Sequence, residues 1–106
     1  MKNIKKLILE SNYPKFYKEV WLEVLKISPG TVKTYSEIAK GIGRPKAQRA
    51  VGTALNKNPF APVVPCHRVI RKNGNLGGYS KGVKTKILLL KKEMPGMFRS
   101  MPDFKK

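Results

Sequence analysis

The sequence predicts a small α/β domain, mostly α, organised around a helix-turn-helix. Three observations lead there. The chain has 106 residues, enough for one domain with a modest core. Apolar residues recur at helical spacing in several separate stretches, two of them short and joined by a glycine-containing turn. The one β-branched apolar run, "VVPCHRVI", is broken by Pro65, which permits a short strand after it but not a regular central one.

Residues 1–12 read as a short lead-in. Their apolar run "LIL" is too brief for a secretory core, and no small-residue cleavage site follows. From Tyr13, "YPKFYKEVWLEVLKIS" sets Phe16, Val20, Val24 and Ile27 on one face, with Trp21 and Leu25 beside them. This is an amphipathic helix, ended at Pro29 and Gly30. In "TVKTYSEIAKGIG", Thr34 and Glu37 have capping-box spacing and Gly41 and Gly43 supply the stop, which predicts a helix over Tyr35–Lys40. "RPKAQRAVGTALNKNP" then places Pro45 at a first helical position and Ala47, Ala50, Val51, Ala54 and Leu55 on a buried stripe. Its outer side carries Lys46, Arg49, Thr53 and Lys57. Gly52 costs helix stability there, which suits a backbone that something approaches closely. "RKNGNLGGYSKG" reads as a hairpin or wing, "VKTKILLLKKE" as a last helix with a leucine-rich face, and residues 94–106 as a tail.

Charge narrows the partner. Lys and Arg number 23 against 6 Asp and Glu, a formal +17, which points to a polyanion and first to nucleic acid. A solvated lysine-rich face has the same balance, so charge selects a partner class and no activity. No stretch reaches membrane-spanning length, so no membrane partner is expected. One cysteine and one histidine make neither an intrachain disulfide nor a thiolate zinc cage. No metal and no cofactor are expected, and a reducing intracellular compartment fits: cytoplasmic, or nuclear in a eukaryote.

The only thiol and the only imidazole, Cys66 and His67, are adjacent. As a thiolate, Cys66 attacks soft electrophiles such as alkyl groups, and an imidazole takes its proton directly or through water. Neighbours on a strand face opposite ways, so a productive pair requires a turn-like or helical backbone. The alternative is a small buried hydrophobe beside a hydrogen-bonded core histidine, and spacing alone leaves both open.

Taken whole, "PCHRV", preceded by "RAVGTALNKNP" and followed by "GGYSKG", resembles the active-site domain of the O6-alkylguanine-DNA alkyltransferases, from about Tyr13 to Glu93. The resemblance implies a winged helix-turn-helix of alkyltransferase type over residues 13–93. Its partner would be double-stranded DNA carrying O6-alkylguanine, bound by a monomer through the minor groove. The damaged guanine would flip into a pocket, and Cys66 would take the alkyl group irreversibly, once, without cofactor.

Carried over residue by residue, His67 is the base that activates Cys66 through water and Glu93 the carboxylate that orients it. Asn58 braces the turn before the active site. Tyr35 helps rotate the phosphate and donates to the leaving guanine. Arg49 enters the base stack, and Thr34, Lys46, Ala50 and Gly52 join Tyr35 and Arg49 at the DNA. Tyr79 and the backbone around Val69 line the pocket, Gly77 and Gly78 allow its loop to approach, and Ser80 hydrogen-bonds the guanine edge. Arg68 is structural or phosphate-directed.

On their own, Asn58 before Pro59 is a turn residue, Tyr35 a packing residue, Glu93 a surface partner of lysine and Arg49 a phosphate contact. The ribonuclease-like N-terminal domain of most members is expected to be absent, and Ala61 stands where several relatives have proline. The rival reading is an alkyltransferase-like protein that binds alkylated DNA and recruits other repair factors. Those typically carry tryptophan in place of the reactive cysteine, and Cys66 decides for the enzyme.

Overall fold

The computed structural model describes residues 3–71 and 82–94. Five α-helices and two short strands follow in order: α1 Ile4–Glu10, α2 Lys15–Val24, β1 Lys33–Thr34, α3 Tyr35–Gly41, α4 Gln48–Asn56, β2 Val69–Ile70 and α5 Val83–Glu93. A single 3-10 turn, Cys66–Arg68, precedes β2. The domain is mostly helical with a small sheet, as the patterning predicts.

Each helix starts or stops for a local reason. Asn3 caps α1 by accepting from Lys6 N at 3.2 Å. The Thr34 hydroxyl accepts from Glu37 N at 3.1 Å while Glu37 accepts from Thr34 N at 2.8 Å, so the expected capping box is formed. Gly43, at φ 77, takes the left-handed conformation that follows α3.

Several elements depart from the sequence reading. The lead-in contains a helix, α1, anchored by fully buried Ile8 with Ile4 packed behind it. Seven residues are too few to announce themselves by periodicity, and tertiary packing supplies what propensity does not. The helix expected to carry Ile27 ends at Val24. Ile27 is buried from the following turn, where its N–H donates to Val24 O.

Pro45 lies in a turn closed by Ala47 N donating to Arg44 O at 3.0 Å, and α4 begins only at Gln48. Proline suits the second position of such a turn as well as it suits a helix start. Ala50, read as part of the buried stripe, is exposed. The face of α5 toward the core holds Leu90 and Lys86, while Leu88 stays 66% exposed.

The core centres on Trp21, wholly buried, whose Nε1–H donates to Ala54 O at 2.9 Å and ties α2 to α4. Rings of Tyr13, Tyr17 and Phe60 surround it at 4.9, 5.8 and 5.7 Å. Val20, Val24, Ile38, Ala39, Val51 and Leu55 complete the packing. Each large apolar side chain so buried contributes about 2 kcal/mol of transfer free energy. β1 and β2 pair in parallel, Lys33 with Val69 and Thr34 with Ile70. That pairing brings the first turn of α3 alongside the chain leaving Cys66, which sets the geometry of the site.

Candidate active site

The backbone around Cys66 is the turn that a productive thiol–imidazole pair requires. Pro65 O accepts from Arg68 N at 2.9 Å and Val64 O from Cys66 N at 2.8 Å, so residues 64–68 coil tightly. Asn58, itself buried, holds that coil from outside. Its Oδ1 accepts from Phe60 N at 2.8 Å, and its Nδ2 donates to Val64 O at 3.1 Å and to Cys66 Sγ at 3.3 Å. A donor aimed at sulfur favours the thiolate over the thiol. Cys66 is 3% exposed, a thiol kept from bulk water.

His67, 1% exposed, meets Glu93 of α5, with Nε2 and Oε2 3.2 Å apart. The carboxylate is shared. Arg68 donates from Nη2 to Oε2 at 2.7 Å and from Nε to Oε1 at 2.9 Å, while its Nη1 donates to Ile27 O at 2.9 Å. The Arg68 hydrogen bonds, and after them those of His67, outweigh burial and hold the Glu93 carboxyl down to about 2. Burial lowers the His67 imidazole below its ordinary value, with Glu93 opposing. At neutral pH the carboxylate is charged and the imidazole neutral. Nε2–H therefore donates to Glu93, and the lone pair sits on Nδ1, where a proton can be taken.

A charged group that the sequence reading missed completes the site. Lys86 has no exposed surface, and its Nζ donates to Val69 O at 2.8 Å. Burial holds the ammonium down to about 8, and the negative charge of Cys66 opposes that fall. The coupling is mutual: an ammonium favoured by the thiolate favours the thiolate in return. The signal was present in α5, since Lys86, Leu90 and Glu93 stand at i, i+4 and i+7 on one face. In so basic a chain one lysine among 23 Lys and Arg does not stand out.

Beyond the thiol, a groove of about 660 Å³ opens between α3 and α4, lined by Tyr35, Ser36, Gln48, Arg49, Gly52, Thr53, Asn56 and Arg71. Tyr35 is half-buried between groove and thiol. Burial raises its hydroxyl pKa, Arg71 opposes and Cys66 adds to the rise, so it stays a protonated donor. A Cβ at Gly52 would find its nearest atom, Tyr35 Cε1, at 4.0 Å. The fold itself does not require glycine there, so the open space belongs to the groove.

Of the sequence-predicted residues, Cys66, His67, Glu93, Asn58 and Tyr35 come together, and Arg49 and Gly52 share the groove. Lys46 and Ala50 are exposed, Thr34 caps α3, and Val69 is buried with its carbonyl on Lys86. Tyr79, Ser80, Gly77, Gly78 and the expected wing lie outside the described residues, as does most of the C-terminal tail.

A family model described as the DNA-binding domain of 6-O-methylguanine DNA methyltransferase matches residues 15–95. The chain belongs to this methyltransferase family. A methylated-DNA--protein-cysteine methyltransferase of Methanosarcina acetivorans is 56% identical over 78 residues, covering 74% of this chain and 50% of that protein. One from Saccharolobus islandicus is 50% identical over 91 residues, covering 86% of this chain and 58% of its own. This member of the family thus spans about half the length of the curated relatives it matches.

Among solved structures, Mycobacterium tuberculosis OGT in complex with DNA superposes with a TM-score of 0.74 at 43% identity, covering 82% of this chain and 56% of that one. S. pombe Atl1, in complex with damaged DNA containing O6-carboxymethylguanine, superposes at 0.68 with 34% identity, covering 78% of this chain and 79% of that one. No helix among the described residues of this methyltransferase-family chain is long and apolar enough to cross a membrane.

Proposed function

We propose that the chain repairs O6-alkylguanine in double-stranded DNA by transferring the alkyl group to Cys66 in a single turnover, after flipping the damaged base. The observation that carries this reading is the Asn58 amide donating to the Cys66 sulfur, in a turn whose next residue is the Glu93-held His67 and within electrostatic reach of the buried Lys86 ammonium. None of these is needed to pack a small hydrophobe.

The step balances without metal or cofactor. His67, directly or through water, takes the Cys66 proton, and Glu93 and Lys86 stabilise the resulting imidazolium and thiolate. Sulfur attacks the alkyl carbon, a C–S bond forms as the C–O6 bond breaks, and the electron pair leaves on the guanine, stabilised by a hydrogen bond from the Tyr35 hydroxyl, while the proton from Cys66, held on His67, is free to neutralise the leaving base. The thioether has no leaving path in this site, so each molecule acts once.

In this reading α3 and α4 are the helix-turn-helix of a monomeric winged-helix domain. α4 approaches the minor groove with Arg49 entering the vacated stack, and Gly52 and Ala50 admit the backbone. Tyr79, Ser80 and Val69 form the guanine pocket, and Thr34 and Lys46 flank the DNA. The working compartment is one that holds DNA, the cytoplasm or, in a eukaryote, the nucleus.

The structural likeness to Atl1, whose complex holds damaged DNA, favours a second reading, a lesion-binding protein without transfer. A Cys66→Ala variant separates the two in a methyl-transfer assay with labelled duplex. Transfer by wild type, none by the variant and equal DNA affinity for both support the enzyme. Binding without transfer by the wild type overturns it in favour of the sensor.

A further inference from the structure

Arg71 belongs to none of the residues given a role above, yet it lines the groove beside Tyr35. It follows β2 directly, and β2 pairs with β1 in the register Lys33–Val69, Thr34–Ile70. Tyr35 and Arg71 each follow the last paired residue of their strand, Thr34 and Ile70. Both line the groove, with Arg49 projecting into it from α4.

The Arg71 charge acts on the Tyr35 hydroxyl and on Lys86, the two groups that the Cys66 thiolate also reaches. No carboxylate among the described residues neutralises it. Glu93 is held by Arg68 and His67, Glu23 by Lys26, Glu19 by Arg44 and Glu37 by the capping box, and Glu10, at the end of α1, makes no ion pair with Arg71. An exposed guanidinium aimed into a groove without an acidic partner fits a bidentate anion.

We propose that Arg71 is the phosphate anchor of this groove, its guanidinium binding the phosphodiester that flanks the nucleotide presented to Cys66. The proposal rests on the reading of the groove as the DNA-facing side. With Tyr35 beside it, Arg71 grips the rotated phosphate at the threshold of the site, while Arg49 acts from the far side on the bases. The ligand is a backbone phosphate, not a guanine edge.

The test pairs Arg71→Ala and Arg71→Lys with duplexes in which single linkages beside O6-methylguanine are made neutral as methylphosphonates. Thermal melting first establishes that both variants fold. Arg71→Ala is expected to lower duplex affinity about tenfold, as for loss of one charged contact, and to reduce the slope of log Kd against log salt by about one. Arg71→Lys recovers part of the affinity. On the duplex whose neutral linkage lies at the anchor, the tenfold difference vanishes, while neutral linkages elsewhere leave it unchanged. Transfer from free O6-benzylguanine, which has no phosphate, falls much less than transfer from the duplex.

Strict additivity of Arg71→Ala with every neutral linkage overturns the proposal. So does an equal loss of transfer from the free base, which would place Arg71 on the guanine. Because affinity and salt slope are read without chemistry, a wild type that binds duplex but transfers nothing sinks the enzyme reading and leaves the phosphate anchor still decided by the methylphosphonate comparison.

Discussion

Replacing Glu93 by Gln keeps the size of the side chain and removes its charge, so it isolates what the shared carboxylate does. In the folded protein this carboxyl is held down to about 2 from an ordinary value of 4.5, first by Arg68 at 2.7 and 2.9 Å and then by His67. At about 1.36 kcal/mol per pKa unit, that depression sets a ceiling of about 3 kcal/mol, and solvent screening of a carboxyl this accessible brings its contribution to native-state stability to about 1 kcal/mol. The folded-state value lies below the unfolded one. The stabilisation is therefore complete above about 4.5 and is lost as pH falls from there toward 2.

The assay is urea unfolding of wild type and Glu93→Gln at a series of pH values from neutral to strongly acid. The variant should be less stable by about 1 kcal/mol at pH 7, and the gap should close as the wild type descends its acid limb. Two proteins of equal stability at pH 7, or parallel acid limbs, would refute the assignment of Glu93 as a carboxylate held by Arg68 and His67.

Lys86→Met removes a buried ammonium held down to about 8. Because burial penalises the charged form, the wild type should gain stability as pH rises from about 8 through 10.5, and the variant should show no such gain in chemical unfolding. Its transfer rate should fall at least about tenfold, most at low pH where the thiolate needs the cation most. Tyr35→Phe should slow transfer about tenfold in single-turnover kinetics by removing the hydrogen-bond donor to the leaving guanine, with the melting temperature little changed. Trp21→Phe should destabilise the fold by about 2 kcal/mol in equilibrium unfolding, because it removes the buried indole donor to Ala54 O, leaving that carbonyl only Lys57 N, and opens a gap between α2 and α4. Duplex affinity should fall steeply with salt in a titration, as counterions are released.

What was legible in the sequence was what local chemistry dictates. The Thr34–Glu37 box and the glycines after it mark α3 wherever the chain goes. Pro65 before Cys66 forbids a regular strand and permits the turn. The motif around Cys66, read as a family resemblance, drew Asn58, His67, Tyr35 and Glu93 into one site, which no spacing rule alone does.

What was missed depended on packing. α1 exists because Ile8 finds a place against α2. Pro45 serves a turn as readily as a helix start. Lys86 looks like any solvated lysine until α5 lies against Val69 and its Nζ meets that carbonyl. The role of Arg68 stayed open because a guanidinium that binds a carboxylate and one that binds a phosphate have the same sequence signature. Only the position of Glu93 decides it.

The measurement that bears most directly on the central claim is the intact mass of the purified protein before and after incubation with a duplex containing O6-methylguanine, followed by mapping of the modified peptide. The account predicts a gain of one methyl group, on Cys66 and never more than one per molecule. Tight binding with no change in mass would contradict it and make this chain a reader of damaged DNA.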